Sequence, residues 1–294
     1  MNAVTGVFSY TGRAIAEELL ARGESVRSLS RRDAPGDPLR PKVEVAPLRF
    51  DGQGLDGVAT LYNTYWIRFE RDGTTFDRAV ENTIALFESA RRAGVERIVH
   101  VSVANADRAD DLPYFRGKHR LEEWLAGSGI AHRIVRPTLV FGNGDILVNN
   151  IAWLLRRSPV FLVPGRHDYL VQPVSVADTA RIAVAPGEGT ADAAGPDTMP
   201  FADLVRAVRD TVGARCRVVR GPRRAGLAII RVTGAALRDV VVTRDELVGL
   251  ERSLLTSAMP PLGRDRITEW LQSSAGVLGR RYVSELARNF RGQE

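Results

Sequence analysis

Tyr114 and Lys118 stand four residues apart in the segment LPYFRGKHRLEEWL. On a helix that offset puts both side chains on one face. A tyrosine phenol, with an ordinary pKa of about 10, is a poor acid–base group at neutral pH. A cation one helical turn away favours the phenolate and brings the pKa toward working range. The chain has six tyrosines and only two lysines, Lys42 and Lys118, so the offset is expected by chance about once in 25 such chains. Pro113, with Asp110 and Asp111 before it, predicts a helix that begins just ahead of the pair. Gly117 costs that helix about 1 kcal/mol against alanine, and close approach to a ligand is one reason to keep it. The other reading is an exposed tyrosine beside a solvated lysine. Ser102, twelve residues before Tyr114 in HVSVAN, is the third candidate catalytic group. Whether Ser102 holds a substrate oxygen, merely ends a strand or assists Asn105 stays open.

A second pattern says what such a tyrosine would work with. TGVFSYTG, Thr5 to Gly12, lies between a strand-like run and a helical one. There a glycine-rich loop aims backbone N–H groups and a helix N-terminus at a pyrophosphate, with Gly6, Ser9, Tyr10, Thr11 and Gly12 as the contact residues. A tight turn without a ligand is the alternative. Ser9 occupies the middle position, usually glycine, where its hydroxyl could itself bond a phosphate oxygen. At the end of the second strand the chain reads SLSRR. An acid there would bond a ribose 2′-hydroxyl; Arg31 and Arg32 instead suit a 2′-phosphate. The expected cofactor is therefore NADP(H), and Tyr114 would give a proton to a carbonyl oxygen as hydride arrives from the nicotinamide. Asp51, past the third strand, either meets the adenine or caps a turn.

The elements that must position these groups alternate in type. Strands are predicted at Asn2–Phe8, Ser25–Ser30, Val43–Leu48, Val58–Tyr62, Arg97–Ser102 and His132–Arg136. Helices are predicted at Gly12–Arg22, Thr75–Ala93 and Leu112–Ala126. This is the pattern of an α/β Rossmann fold, a doubly wound parallel sheet, with a smaller, mainly helical C-terminal lobe. Beyond it come helices at Ile146–Arg157 and Phe201–Val212, a return to the sheet at Leu170–Val176 and a linker-like Ala185–Gly195. The division expected is an NADP-binding domain at 1–184, with 141–170 inserted toward the substrate site, and a substrate-covering lobe at 185–294.

TGVFSYTG, SLSRR, LYNTYWIRF, VENTIALFESARRAGVERIVHVS, PYFRGK and VRPTLVFGNGD together resemble the atypical, extended short-chain dehydrogenases/reductases. Within that superfamily they look like the NmrA-like group and the branch containing the mitochondrial complex I accessory subunit. The likeness covers about the first 180 residues. It implies cofactor contacts by Asn63 and Thr64 and by Pro137, Thr138 and Leu139 beside the nicotinamide. It places Tyr65 and Trp66 near the reactive face, where a core role is equally open, and makes Asn82 a structural helix residue facing the site. In many members the serine that holds the substrate oxygen lies about two positions after Ser102, where this chain has Ala104 and Asn105. The group is functionally mixed, with reductases, epimerases, redox sensors and structural subunits.

Composition bounds the rest. The chain has 294 residues, 44% hydrophobic and 26% charged, enough for a large core and a poor match to disorder. No run of 18 apolar residues and no signal peptide is read, and the single Cys216 excludes an internal disulfide framework or a cysteine zinc site. No metal site is expected, and a cytoplasmic location is. Residues 201–294 hold 17 basic and 10 acidic residues, and between Asp210 and Asp239 seven arginines occur with no acid. That stretch either clamps an anionic substrate, lies on an anionic membrane, contacts nucleic acid or simply packs a helix with its arginines in water. No nucleic-acid signature accompanies it, so none is expected as a partner. Partners expected are a small-molecule substrate and a second copy in a homodimer. Three functions compete: an NADP(H)-dependent oxidoreductase acting on a carbonyl, alcohol or activated double bond; an NADP(H)-sensing or scaffold protein; and a sugar-nucleotide epimerase or dehydratase, disfavoured by the missing second-strand acid.

Overall fold

In the computed structural model, which describes residues 1–165 and 168–289, chain order runs β1 (Asn2–Thr5), α1 (Tyr10–Ala21), β2 (Val26–Ser30), β3 (Glu44–Pro47), β4 (Thr60–Asn63), α2 (Phe76–Arg92), β5 (Arg97–Val101), α3 (Pro113–Gly127) and β6 (Ala131–Pro137). Then follow β7 (Leu139–Phe141), α4 (Leu147–Leu155), β8 (Val160–Pro164), β9 (Leu170–Val171), β10 (Pro173–Ser175), α5 (Val176–Val184) and β11 (Gly189–Ala193). The chain continues through β12 (Met199–Pro200), α6 (Phe201–Thr211), β13 (Arg217–Gly221), α7 (Arg223–Leu237), α8 (Arg244–Glu251), α9 (Ile267–Ser274) and α10 (Glu285–Asn289). Seven strands form one parallel sheet in the order β11-β6-β5-β4-β1-β2-β3. The order reverses at β1, and in such sheets ligands sit beyond the carboxyl ends of the strands at that point.

Burial explains the pattern. All four residues of β1 are buried, as a central parallel strand covered on both faces requires. α1 and α5 pack together on one face over Val4, Ile15, Leu19 and Ala183; Leu61, Phe87, Ile98 and Leu121 fill the other beneath α2 and α3. α2 starts at Thr75, whose hydroxyl accepts from the Arg78 N–H, and α3 starts on Pro113, a residue whose missing N–H costs nothing in a first turn.

Two expectations change. Ala185–Gly195 is not a linker: within it β11 pairs with β6 and closes the sheet edge. An edge strand needs backbone pairing and one covered side, and small Ala191 and Ala193 suffice against α5 and α1. The boundary expected at residue 184 therefore falls inside the α5–β11 unit. Leu170–Val176 does not rejoin the main sheet either; β9 pairs with β12 and β10 with β7. The second core draws on both sides of that crossover, from Leu139 through Val171 and from Phe201 through Leu278.

Candidate active site

The loop after β1 has the shape its glycines predict. Gly6 has φ +68°, and a Cβ on Gly12 would lie 2.2 Å from the Gly6 carbonyl oxygen, so α1 runs directly against the strand end. Ser9 departs from its expected use: its hydroxyl and its N–H both donate to the Gly6 carbonyl, at 2.6 and 2.8 Å. It tightens the loop. α1 has no acid in its first turn, which leaves its N-terminal dipole unopposed. Thr11 is half-buried just inside the helix. Tyr10 points the other way. Its hydroxyl is buried without a hydrogen-bond partner among the described residues, with Gly142 alongside and the Arg288 guanidinium 5.7 Å from its ring centre, and burial pushes its pKa up. Its side chain thus faces α10, leaving only its backbone to the loop.

At the end of β2, Arg31 and Arg32 are exposed, and among the described residues neither has a carboxylate partner. The acid that follows, Asp33, is taken by Arg40. Arg31 lies 5.9 Å from the Tyr65 ring centre. Asp51 is exposed and accepts the Gln53 N–H in a turn.

Thr5 rivets this loop to β4. Its hydroxyl accepts the N–H groups of Thr64 and Tyr65, at 2.7 and 3.0 Å, and donates to Asn63 Oδ1; its carbonyl accepts the Thr64 hydroxyl. Asn63 Nδ2 lies 3.0 Å from His100 Nδ1. An amide N–H can only donate, so Nδ1 accepts and the proton sits on Nε2. Burial, then the Lys118 charge, holds His100 well below the usual histidine range, so it is a neutral ring. Asn63 and Thr64, expected at the cofactor, are thus spent largely on positioning, and Thr5 and His100 are participants that glycine spacing does not reveal. Their only signal is polarity at the carboxyl ends of otherwise apolar buried strands.

α3 brings Tyr114 and Lys118 to the same edge, but Trp66 stands with them. The Lys118 ammonium is buried, donates to the Val101 carbonyl at 2.7 Å and lies 4.6 Å from the Trp66 ring centre. Tyr114 meets Trp66 edge-on at 5.9 Å and Phe76 at 6.0 Å. Gly117 is where the indole comes closest, since a Cβ there would be 2.8 Å from it; the glycine makes room for Trp66. The expected lowering of the tyrosine is absent from this arrangement. Burial, with Glu246 adding to it, pushes Tyr114 up to about 12, and the cation that opposes this is Arg68. Burial lowers Lys118 to about 7.

Ser102 sits at the end of β5 with a buried hydroxyl that has no partner among the described residues. Asn105 is committed elsewhere: at φ 55°, its amide donates to the Leu254 and Thr256 carbonyls at 2.8 and 2.7 Å, tying the second lobe down. Asn82 faces the site and donates to the Tyr65 hydroxyl, whose ring packs on Phe50. The Pro137 carbonyl accepts from Ala104; Thr138 is buried, its hydroxyl on the Gln172 and Ala193 carbonyls; Leu139 is in the second core. These three join β6 to β7 and β11.

Arg68, just beyond Trp66, is a residue the sequence reading missed. Its guanidinium bonds Glu246 on α8, Glu285 on α10 and the Val241 carbonyl. Asp239 completes the clasp by accepting the Tyr282 hydroxyl and the Glu285 and Leu286 N–H groups. The segment carrying Trp66 is thereby fastened to the C-terminal lobe.

Residues 8–146 match the family model described as NAD(P)H-binding. Among relatives, "Sterol demethylase protein B" of Methylococcus capsulatus is 38% identical over 108 residues, 34% of this chain and 33% of that protein. The NADH dehydrogenase [ubiquinone] 1 alpha subcomplex subunit 9 of Arabidopsis thaliana is 23% identical over 263 residues, 82% of this chain and 64% of that one. The chain thus spans less than two thirds of either relative's length. Among solved structures, an NADPH-dependent quinone oxidoreductase of Escherichia coli complexed with NADPH aligns with a TM-score of 0.73 at 19% identity, covering 94% of this chain and 99% of that one. The NAD(P)H-binding character read from the motifs is thus matched over residues 8–146, on a Rossmann fold, with a complex I subunit among the similar proteins. No helix among the described residues is long and apolar enough to cross a membrane.

Proposed function

We propose that this chain, an NAD(P)H-binding protein over residues 8–146, is an NADP(H)-dependent oxidoreductase of the short-chain type. It would move hydride to or from a carbonyl or alcohol carbon, or an activated double bond, of a small metabolite. The observation that carries this reading is that α3 delivers Tyr114 and Lys118 to the sheet edge where β1, β4 and β5 end, the edge on which the Gly6–Gly12 loop lies. The loop, the acid-free start of α1 and two arginines without carboxylate partners among the described residues fit a phosphorylated dinucleotide.

The cofactor, when bound, supplies or accepts the hydride. Tyr114, protonated throughout the neutral range at a pKa of about 12, gives its proton to the substrate oxygen as the new C–H bond forms. The Ser102 hydroxyl is the second donor for that oxygen, because the Asn105 amide is already spent. Lys118 would hold the nicotinamide ribose. Arg31 and Arg32 would hold the 2′-phosphate.

Calorimetric titration with NADPH, NADP and NADH tests the cofactor assignment. The Arg31→Ala/Arg32→Ala variant should lose about 10- to 100-fold in NADPH affinity and nothing toward NADH. In a carbonyl-substrate screen, Tyr114→Phe should bind NADPH normally and turn over about 10²- to 10⁴-fold more slowly. Equal turnover would remove Tyr114 from the chemistry. A second reading draws on the Trp66–Arg68 connection to α8 and α10: the chain senses NADP(H) and reports it through the C-terminal lobe. Under that reading NADPH binds and no substrate turns over, while Tyr114→Phe leaves partner binding untouched.

A further inference from the structure

Helix α7 touches the rest of the lobe along one stripe. Gly226, its only buried residue, sits against Pro164, where a Cβ would come within 2.6 Å of the proline ring. Ile230, Thr233 and Leu237 follow at offsets of four, seven and eleven, half-buried. The opposite face is Ala225, Ala228, Ile229, Val232, Ala235 and Ala236, all exposed, with Ile229 at 51% and Val232 at 70%. A helix turned to water ordinarily puts polar residues on that face. Here the charges stand along one flank instead, with Arg224 and Arg231 seven residues apart, and Arg238 follows as the left-handed cap of the helix at φ 51°. None of the three has a carboxylate partner among the described residues, and neither has Arg215 or Arg217; Arg220 and Arg223 are paired with Asp168 and Glu251. No acid lies between Asp210 and Asp239.

An outward apolar face bordered by arginines, on a helix of 15 residues that is too short to span a bilayer, is what a helix lying in the headgroup layer requires. We propose that α7 docks this chain onto an anionic phospholipid surface. Its alanine, isoleucine and valine face enters the acyl boundary, and Arg224, Arg231 and Arg238 meet headgroup phosphates. Charge complementarity selects this occupant. A second copy packed antiparallel, face to face on the same helix, would bring like arginine rows together. The face also lacks the large aromatic anchors that concentrate binding energy in protein interfaces.

Sedimentation of the full chain with vesicles of phosphatidylcholine, with or without phosphatidylglycerol, tests it. Binding is expected only where phosphatidylglycerol is present, and should fall with added salt. Arg224→Gln/Arg231→Gln should lower the partition constant about thirtyfold. Val232→Asp, with every arginine kept, should lower it by at least about tenfold. A dye on Val232→Cys should shift to the blue on the anionic vesicles, a readout that does not need the charge variants to fold. No sedimentation, equal binding to both vesicles, or arginine variants that bind like the wild type would each overturn the proposal. So would a monomer–dimer equilibrium moved by Val232→Asp in a protein that ignores the vesicles.

Discussion

Lys118 is a cation folded into a place that disfavours its charge, and the cost has a pH signature. Burial lowers it from 10.5 to about 7, with Glu122 opposing. At about 1.36 kcal/mol per pH unit that gap amounts to about 5 kcal/mol. The sign follows from proton counts. Below pH 7 both the folded and unfolded states hold the proton. Between about 7 and 10.5 the unfolded state holds one more, so stability rises with pH through that window. Lys118→Met keeps the length of the side chain and removes the titration. The difference in unfolding free energy between wild type and variant should therefore move in favour of the wild type with a slope that rises from about half of 1.4 kcal/mol per pH unit at pH 7 to nearly the full value by pH 8, or about 2 kcal/mol from pH 7 to 9. At pH 7 the variant should be the more stable by about 1–3 kcal/mol, once the Val101 carbonyl's lost donor is counted at about 1–3 kcal/mol. Urea unfolding of both proteins at pH 6, 7, 8 and 9 measures this, and taking the difference cancels every other titrating group. A difference that stays flat from pH 7 to 9 would refute the reasoning, because Lys118 would then keep its proton on folding.

Two further outcomes follow from close contacts. Gly12→Ala places a Cβ 2.2 Å from the Gly6 carbonyl oxygen and 2.9 Å from that of Thr5; both are backbone, so the loop must move. A destabilisation of about 1–3 kcal/mol or more and loss of NADPH binding by calorimetry are expected, and normal binding would show that the loop does not cradle the cofactor. Asn105→Ala strips donors from the Leu254 and Thr256 carbonyls and puts alanine at φ 55°. It should cost about 2–3 kcal/mol in urea unfolding and loosen the second lobe to proteolysis; a change within 0.5 kcal/mol, roughly the ordinary surface value, would mean that the clasp is not formed in solution.

The parts of the site made by short-range geometry were readable in the chain. Gly6 and Gly12 follow from a strand meeting a helix at close quarters, Arg31 and Arg32 from their place at a strand end, and the shared face of Tyr114 and Lys118 from helical spacing alone. What lay between them was not readable. Trp66 reaches Gly117 across about fifty residues of chain, and a glycine inside a helix does not announce whether a ligand or an indole fills its space. Arg68 finds Glu246 and Glu285 at separations of 178 and 217 residues, distances over which no local pattern carries information.

The alternation of apolar strands and amphipathic helices, with its punctuation by glycine and proline, was by itself enough to determine a doubly wound sheet and the end of it at which chemistry would sit. Periodicity and turn residues act within a few positions, so they survive in one dimension. Tertiary packing decided the state of each candidate group: Ser9 turned onto its own loop, Asn105 taken by the second lobe, Tyr114 pushed up to about 12 and Lys118 down to about 7. It also made β11 a strand, since edge pairing with β6 is a backbone matter that side chains as small as alanine scarcely signal. Protonation and hydrogen-bond partnership depend on which atoms exclude water, and only the folded chain brings those atoms together.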